Sequence, residues 1–167
     1  MPVKEVNFCQ RCGHRVVIKT IDNKPRPYCP SCNFVVFLDP KLAAVVLATK
    51  DDKLVLVRRA IQPSIGKWSF PSGFVDLGEA VQDAAVREMR EETGLKINIT
   101  DLVGLYSKTG NEIVLAVYGA EVVGGRLRAG TEVIETAFFN QENLPQLPFD
   151  HDDQILKDWR NTGKLKN

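Results

Sequence analysis

The sequence predicts an α/β domain preceded by a small, separate N-terminal module. Four cysteines lie in the first fifth of the chain as two Cys-x-x-Cys pairs, and the remainder contains none. From residue 39 onward, apolar runs with the length of buried strands flank a polar segment with helical periodicity. A chain of 167 residues suits one ordinary domain with a small appendage. We therefore divide the chain into segments 1–38 and 39–167.

The apolar runs outside the polar segment predict four strands and one helix. The first two strands form a hairpin that turns at Asp51 and Asp52, and the third ends at Gly124 and Gly125. The predicted strands are 42–48, 54–59, 113–122 and 136–139, and a closing helix is predicted at 152–159.

The composition excludes some classes of partner. Hydrophobic residues make up 44% of the chain, enough for an apolar core, and the net charge of +1 gives no long-range attraction to nucleic acid or anionic membranes. No apolar stretch approaches the roughly 18 residues of a membrane span, and the first residues lack the apolar core of a signal peptide. We therefore expect a cytoplasmic protein with neither a nucleic-acid nor a membrane partner.

The two Cys-x-x-Cys pairs predict a structural zinc site. They are separated by 16 residues, which lets four thiolates converge on one tetrahedral ion and leaves no open coordination position. Two disulfides are the competing interpretation, but that interpretation requires an oxidising compartment. The ligands are Cys9, Cys12, Cys29 and Cys32. Segment 1–38 is therefore predicted to be a zinc ribbon, too small to hold a core without its metal.

Three further residues of this segment have predicted conformations or environments. Gly13 and Asn33 follow the second cysteine of each pair, where the turn favours a left-handed backbone. His14 could replace one cysteine as a ligand, but with four cysteines available we predict that it is a surface residue.

Three carboxylates on the polar helical segment predict a divalent cation. Glu88, Glu91 and Glu92 fall within an arc of roughly 100° on a helix. Two such charges about 6 Å apart repel by roughly 3 kcal/mol at an effective dielectric near 20. Arg87 can partner Glu91 one turn away, but one arginine cannot neutralise three carboxylates. Mg²⁺ or Mn²⁺ with oxygen ligands is the expected counter-charge.

The surrounding residues resemble the Nudix box, the pattern G-x5-E-x7-R-E-U-x-E-E-x-G-U in which U is apolar. A solvated, salt-bridged helix face is the alternative, but it explains neither the bracketing glycines nor the spacing. The resemblance implies an α/β/α sandwich on a mixed sheet for segment 39–167, in which an opening hairpin is typical. The matching positions are Gly73, Glu79, Arg87, Glu88, Met89, Glu91, Glu92, Gly94 and Leu95.

The resemblance also implies roles for individual residues. Nudix enzymes hydrolyse a nucleoside diphosphate linked to a moiety X, by attack of water on one phosphorus of the pyrophosphate. By resemblance, Glu88 and Glu92 are the principal magnesium ligands, and Glu91 either completes the cluster or binds a second ion. The carbonyl of Ser72, beside Gly73 in the glycine-rich loop, is a further ligand. Arg87 is expected to orient the glutamates, and Glu79 to fix the loop through Arg87 or backbone N–H groups.

The catalytic general base and the residues that would contact a nucleobase are predicted less directly. In many family members the base comes from a loop downstream of the box, which here favours Glu132, with Glu135 close behind. A solvated loop acid is the alternative for both. Trp68 or Phe70 could stack on a nucleobase or pack under the loop. His151 could reach a substrate phosphate, but we expect it to be an exposed histidine.

The zinc ribbon ahead of the Nudix box reduces the number of candidate substrates. Residues 7–13 and 59–68 resemble ribbon-bearing pyrophosphatases acting on ADP-ribose and FAD. Residues 96–111 contain no proline, so the run typical of the NADH pyrophosphatases is missing, and so is a marker of one typical ADP-ribose group. The alternatives are an NADH or nucleotide-sugar pyrophosphatase, a nucleoside triphosphate hydrolase, and a non-catalytic regulator that binds nucleic acid. A small nucleotide substrate is expected. Nudix enzymes of this kind are often dimers, so the resemblance makes a homodimer a candidate assembly, although the sequence itself does not give the oligomeric state. The candidate side chains for binding the substrate phosphates are those of Arg58, Arg59, Arg126 and Arg128.

Overall fold

A computed structural model of the protein describes residues 6–162. The chain forms two compact units, of which the first runs to Pro40 and includes Gly110–Glu112, and the second contains the rest. Residues 1–5 and 163–167, the outer ends of the two predicted segments, lie outside the described residues.

The first unit is built on a small antiparallel sheet in the order β1-β2-β3. Its strands are β1 (Val17–Ile21), β2 (Lys24–Cys29) and β3 (Phe34–Val35). Asp22 and Asn23 form the turn between β1 and β2 with φ of 50° and 59°, which suits a tight two-residue hairpin. Gly13 and Asn33 have φ of 75° and 58°, so the predicted left-handed conformations are confirmed.

Within the part of the chain that the structure describes, the second unit is a seven-stranded mixed sheet with two helices. The main path is β10-β5-β4-β9-β8, with β6 paired to β5 and β7 to β4, and β4 runs parallel to β9. The helices are α1 (Val81–Thr93) and α2 (Asp152–Thr162). The strands are β4 (Lys41–Lys50), β5 (Lys53–Arg59), β6 (Trp68–Ser69), β7 (Ser72–Phe74), β8 (Leu95–Tyr106), β9 (Ile113–Gly125) and β10 (Val133–Asn140).

The sheet separates two apolar layers. Ala44 and Val46 of β4 face one cluster, which Met89 of α1 completes, and the alternate residues Val45 and Leu47 face a second cluster with Ile155 of α2. The predicted α/β/α sandwich is therefore confirmed, and each predicted strand lies within an observed one. Neither described helix is long and apolar enough to span a membrane.

One long strand, β8, was not among the predicted elements. Leu95, Ile97 and Ile99 alternate along its first half as in a half-buried strand, but its pairing with β9 shifts register at three places. These irregularities break the alternation that would extend the pattern to Tyr106.

Candidate active site

Helix α1 packs one face on the sheet, and Glu88 and Glu92 lie along the edge of that face beside the glycine-rich loop. Ala84, Ala85 and Met89 are fully buried against the sheet. The helix ends at Gly94, which adopts φ 71° and donates its N–H to the carbonyl of Arg90. This left-handed cap fixes where the last turn stops, and thereby where Glu91 and Glu92 lie.

Arg87 joins the loop to the helix. Its Nε and Nη2 donate to the two carboxylate oxygens of Glu79 at 2.8 and 2.9 Å, and Nη2 also donates to the carbonyl of Phe74 at 3.0 Å. Its Nη1 donates to Glu88 at 2.6 Å and to Glu91 at 3.3 Å. The guanidinium, together with the N–H of Asp76, lowers the pKa of Glu79 to about 2.

Glu88 lies directly against the loop backbone. A Cβ atom on Gly73 would overlap the Glu88 carboxyl group, so that only glycine leaves room for this carboxylate. Burial raises the pKa of Glu88, against the opposing hydrogen bond from Arg87.

Glu92 is the most enclosed of the three carboxylates. Its Oε2 accepts a hydrogen bond of 2.9 Å from the N–H of Ser72. Burial raises the pKa of Glu92 to about 8; the Ser72 N–H opposes this rise, the charge of Glu88 adds to it, and the charge of Arg59 opposes it. The positive charge near Glu92 therefore does not offset the burial of its ionised carboxylate.

The donor set fits a hard divalent cation. Glu88 and Glu92 face the loop next to the backbone of Ser72, and oxygen atoms of this kind are what Mg²⁺ and Mn²⁺ prefer. Glu91 differs, since its side chain is 60% exposed and contacts Arg87. Within residues 6–162, the three glutamates do not converge as the four cysteines do.

The structure separates the two predicted general bases. The charge of Glu132 contributes to raising the pKa of both Glu88 and Glu92, after burial and the nearer groups, so Glu132 lies near both carboxylates. Glu135 is ion-paired with Arg58 at 3.7 Å instead.

Arg59 carries its positive charge near Glu92. The sequence alone gave no reason to prefer it over the other three candidate arginines. Its Nε donates to the carbonyl of Pro63 at 2.7 Å, and its guanidinium lies 5.7 Å from the ring centroid of Phe149. The Phe149 ring is stacked on His151 with centroids 5.5 Å apart. His151 is therefore half-buried rather than freely exposed.

Of the predicted stacking residues, Phe70 is buried in the core, whereas Trp68 packs edge-on against Phe139 with centroids 4.8 Å apart. The packing alternative therefore holds for Phe70.

In the first unit His14 is exposed, as predicted, and its Nδ1 lies 3.2 Å from the carbonyl of Cys12.

The four cysteines converge as a tetrahedral metal site requires. The Sγ atoms of Cys9 and Cys32 are 3.7 Å apart, those of Cys12 and Cys29 are 3.5 Å apart, and all four lie within 4.8 Å of one another. Zn–S bonds of about 2.3 Å in a tetrahedron place sulfur atoms about 3.8 Å apart, so the cluster fits zinc. Burial would raise the pKa of Cys29, but the N–H of Cys32 and neighbouring donors lower it, whereas the hydrogen bond with Cys12 and burial raise the pKa of Cys32. The thiols differ in this respect, and their spacing is what supports a zinc site.

Comparison with known proteins agrees with this geometry. The Nudix domain model matches residues 39–159, and the Nudix N-terminal zinc ribbon model matches residues 7–37. An ADP-ribose pyrophosphatase of Methanocaldococcus jannaschii is 39% identical over 133 residues, covering 75% of this chain and 78% of the relative. The NAD-capped RNA hydrolase NudC of Pseudomonas aeruginosa is 31% identical over 142 residues, covering 84% of this chain, and the chain spans half of that relative's length.

Solved structures give the same result. A NUDIX hydrolase from Nitrosomonas europaea superposes with a TM-score of 0.87 at 28% identity, covering 95% of this chain and 94% of that one. An ADP-ribose pyrophosphatase from Streptococcus suis superposes with a TM-score of 0.65 at 26% identity, covering 75% and 92%. The chain belongs to the Nudix family of hydrolases and carries the family's N-terminal zinc ribbon ahead of its Nudix domain.

Proposed function

We propose that this protein hydrolyses the pyrophosphate bond of ADP-ribose or FAD, releasing AMP and a second monophosphate. The observation that carries the reaction is the pair of enclosed carboxylates, Glu88 and Glu92, held against the glycine-rich loop. The choice of ADP-ribose is supported by the Methanocaldococcus relative, which matches most of both chains.

In this proposal Glu88, Glu92 and the carbonyl of Ser72 hold Mg²⁺ or Mn²⁺, with Glu91 at the edge of the cluster. Ser72 and Phe74 are alternate residues of β7, and alternate residues of an antiparallel strand point their N–H and C=O groups to the same side. The Ser72 N–H and the Phe74 carbonyl both bond to α1 side chains, which supports a Ser72 carbonyl that faces the same helix. The bound cation would neutralise the pyrophosphate oxygens and acidify a bound water.

The side chains supply orientation and proton transfer. Arg87 fixes the positions of Glu88 and Glu91 relative to the glycine-rich loop through five hydrogen bonds. Glu132 accepts a proton from the attacking water as the water oxygen bonds to phosphorus. The bond between that phosphorus and the bridging oxygen then breaks, and the second phosphate leaves. Arg59, at the end of β5 and close to Glu92, is the arginine we assign to the substrate phosphates.

The zinc ribbon has a structural role in this proposal. Its four thiolates fill a tetrahedral coordination sphere and leave no position for a substrate or a water. The near-neutral net charge of +1 argues against nucleic acid as the main partner.

An NAD-linked substrate is the second candidate, because the NudC relatives are NAD-capped RNA hydrolases. A panel of ADP-ribose, FAD, NADH, a nucleotide sugar, a nucleoside triphosphate and an NAD-capped RNA, assayed with Mg²⁺ and with Mn²⁺, separates these possibilities. Mass-resolved AMP from ADP-ribose or FAD at the highest kcat/KM is the expected result. Preferred release of inorganic pyrophosphate from the triphosphate, or preferred decapping of the RNA, would contradict the proposal.

A further inference from the structure

The segment between β9 and β10 is attached to the last turn of α1. Residues 126–132, here named the clamp loop, donate two backbone hydrogen bonds to the helix end. The N–H of Arg128 donates to the carbonyl of Thr93 at 2.9 Å, and the N–H of Gly130 to the carbonyl of Glu92 at 3.0 Å. The final carbonyls of a helix lack intrahelical partners, so the loop satisfies two groups that would otherwise need water.

This attachment depends on Gly130. A Cβ atom at this position would overlap the carbonyl oxygen of Glu91 and lie 3.2 Å from the Cα of Glu92. The backbone of Gly130 is not left-handed, so the need for glycine arises from space and not from φ. The overlap is with rigid helix backbone, which cannot move aside as the end of a flexible side chain would.

The clamp loop ends at Glu132. Only Thr131 separates this residue from Gly130, and the carbonyl of Glu132 accepts a hydrogen bond of 2.9 Å from the N–H of Ala60, next to Arg59. The backbone of Glu132 is therefore held between the end of α1 and the end of β5. Its side chain is exposed, and its backbone lies two residues from the Gly130 N–H that donates to the carbonyl of Glu92.

We propose that Gly130 is a positioning residue for Glu132: by letting the clamp loop touch the helix end, it fixes the general base relative to the carboxylates of the same helix. This inference rests on the proposed role of Glu132 as the base. The geometry joins the two halves of the site through backbone hydrogen bonds, so the base and the cation ligands move as one unit.

The test is a double-mutant cycle of Gly130→Ala and Glu132→Gln, with Gly124→Ala as the control. A Cβ on Gly124 would meet only the Cδ of Lys96, at 4.0 Å, so the control adds the same methyl group without a clash. In the wild-type background Gly130→Ala is expected to lower kcat about 10- to 100-fold, because misplacing a base costs this much, and to change KM less than about threefold. In the Glu132→Gln background it is expected to change kcat less than about threefold.

Two results would overturn the inference: wild-type kcat in Gly130→Ala, or the same loss of kcat in both backgrounds, which would show an action that does not pass through Glu132. Failure of the wild-type protein to hydrolyse any pyrophosphate substrate would instead contradict the proposed function. If Gly130→Ala does not fold, hydrogen exchange in the wild-type protein decides. Amides of Arg128 and Gly130 that exchange as slowly as the last turn of α1 support the clamp, and rapid exchange overturns it.

Discussion

The backbone N–H of Ser72 and the carboxylate of Glu92 are hydrogen-bonded at 2.9 Å across 20 residues of sequence. The bond ties the glycine-rich loop to the last turn of α1 and fixes one oxygen of an enclosed carboxylate. Its other consequence is electrostatic, because a buried acid with a raised pKa is held where a cation would stabilise its ionised form.

Gly73→Ala is expected to lower kcat at least about 100-fold, because the added methyl group overlaps the Glu88 carboxyl and displaces a proposed cation ligand. Steady-state kinetics measure the effect, with Gly124→Ala as the matched control. Raising the Mg²⁺ concentration should recover part of the activity. Wild-type kcat in Gly73→Ala would contradict the proposed place of Glu88 at the reaction centre.

Without added Mg²⁺, the difference in stability between wild type and Glu92→Gln should depend on pH. The folded pKa of Glu92 is raised from 4.5 to about 8, so the folded wild type binds more protons than its unfolded state between these values. Its free energy of unfolding therefore falls, relative to that of the variant, as pH rises through this window. Denaturant unfolding of zinc-loaded protein at several pH values measures the difference. A difference independent of pH would contradict an enclosed, uncompensated carboxylate.

Arg87→Lys should lower the free energy of unfolding and the urea midpoint, because lysine keeps the charge but cannot make the two-pronged bond to Glu79. The loss should shrink in acid, since the lowered pKa of Glu79 gives a contribution present above about 4.5 and lost as pH falls toward 2. Urea unfolding at pH 7 and pH 3 checks both statements. Equal losses at the two pH values would argue against Glu79 as the partner that matters.

Removing zinc should unfold the first unit without removing the chemistry of the second. Four thiolates around one ion account for the convergence of the cysteines, and a unit of this size has little apolar core. A zinc-selective chelator should collapse the dispersed amide resonances of residues 7–37. Activity lost by separate depletion of Mg²⁺ should return on adding Mg²⁺ alone. A native ribbon spectrum after verified zinc removal would contradict the structural role.

The sequence was sufficient for the features with a fixed local pattern. The spacing of Glu88, Glu91 and Glu92 predicted one helix face, and the uninterrupted apolar runs predicted β4, β5 and β9. Strand β8 was not predicted, because three shifts in its pairing with β9 disrupt the alternation of apolar and polar residues from which a strand is recognised.

The sequence favoured Glu132 over Glu135 only narrowly, for a related reason. Glu135 follows a register shift in β10 that pairs it with Arg58, and Glu132 is held by contacts between distant segments. Arg59 resembles any other surface arginine until the fold brings it near Glu92 and Phe149. The positions of these three residues depend on tertiary contacts, which leave no local signal in the sequence.

The most direct test is AMP release from ADP-ribose in the presence of Mg²⁺ by the wild type and by Glu92→Gln, resolved by mass. Glutamine keeps the size of Glu92 and removes the charge that would hold the cation, and circular dichroism confirms that the fold is retained. We predict AMP and ribose phosphate from the wild type, and a rate at least about 100-fold lower from the variant. Equal rates from the two proteins would contradict the assignment of the reaction to this carboxylate cluster.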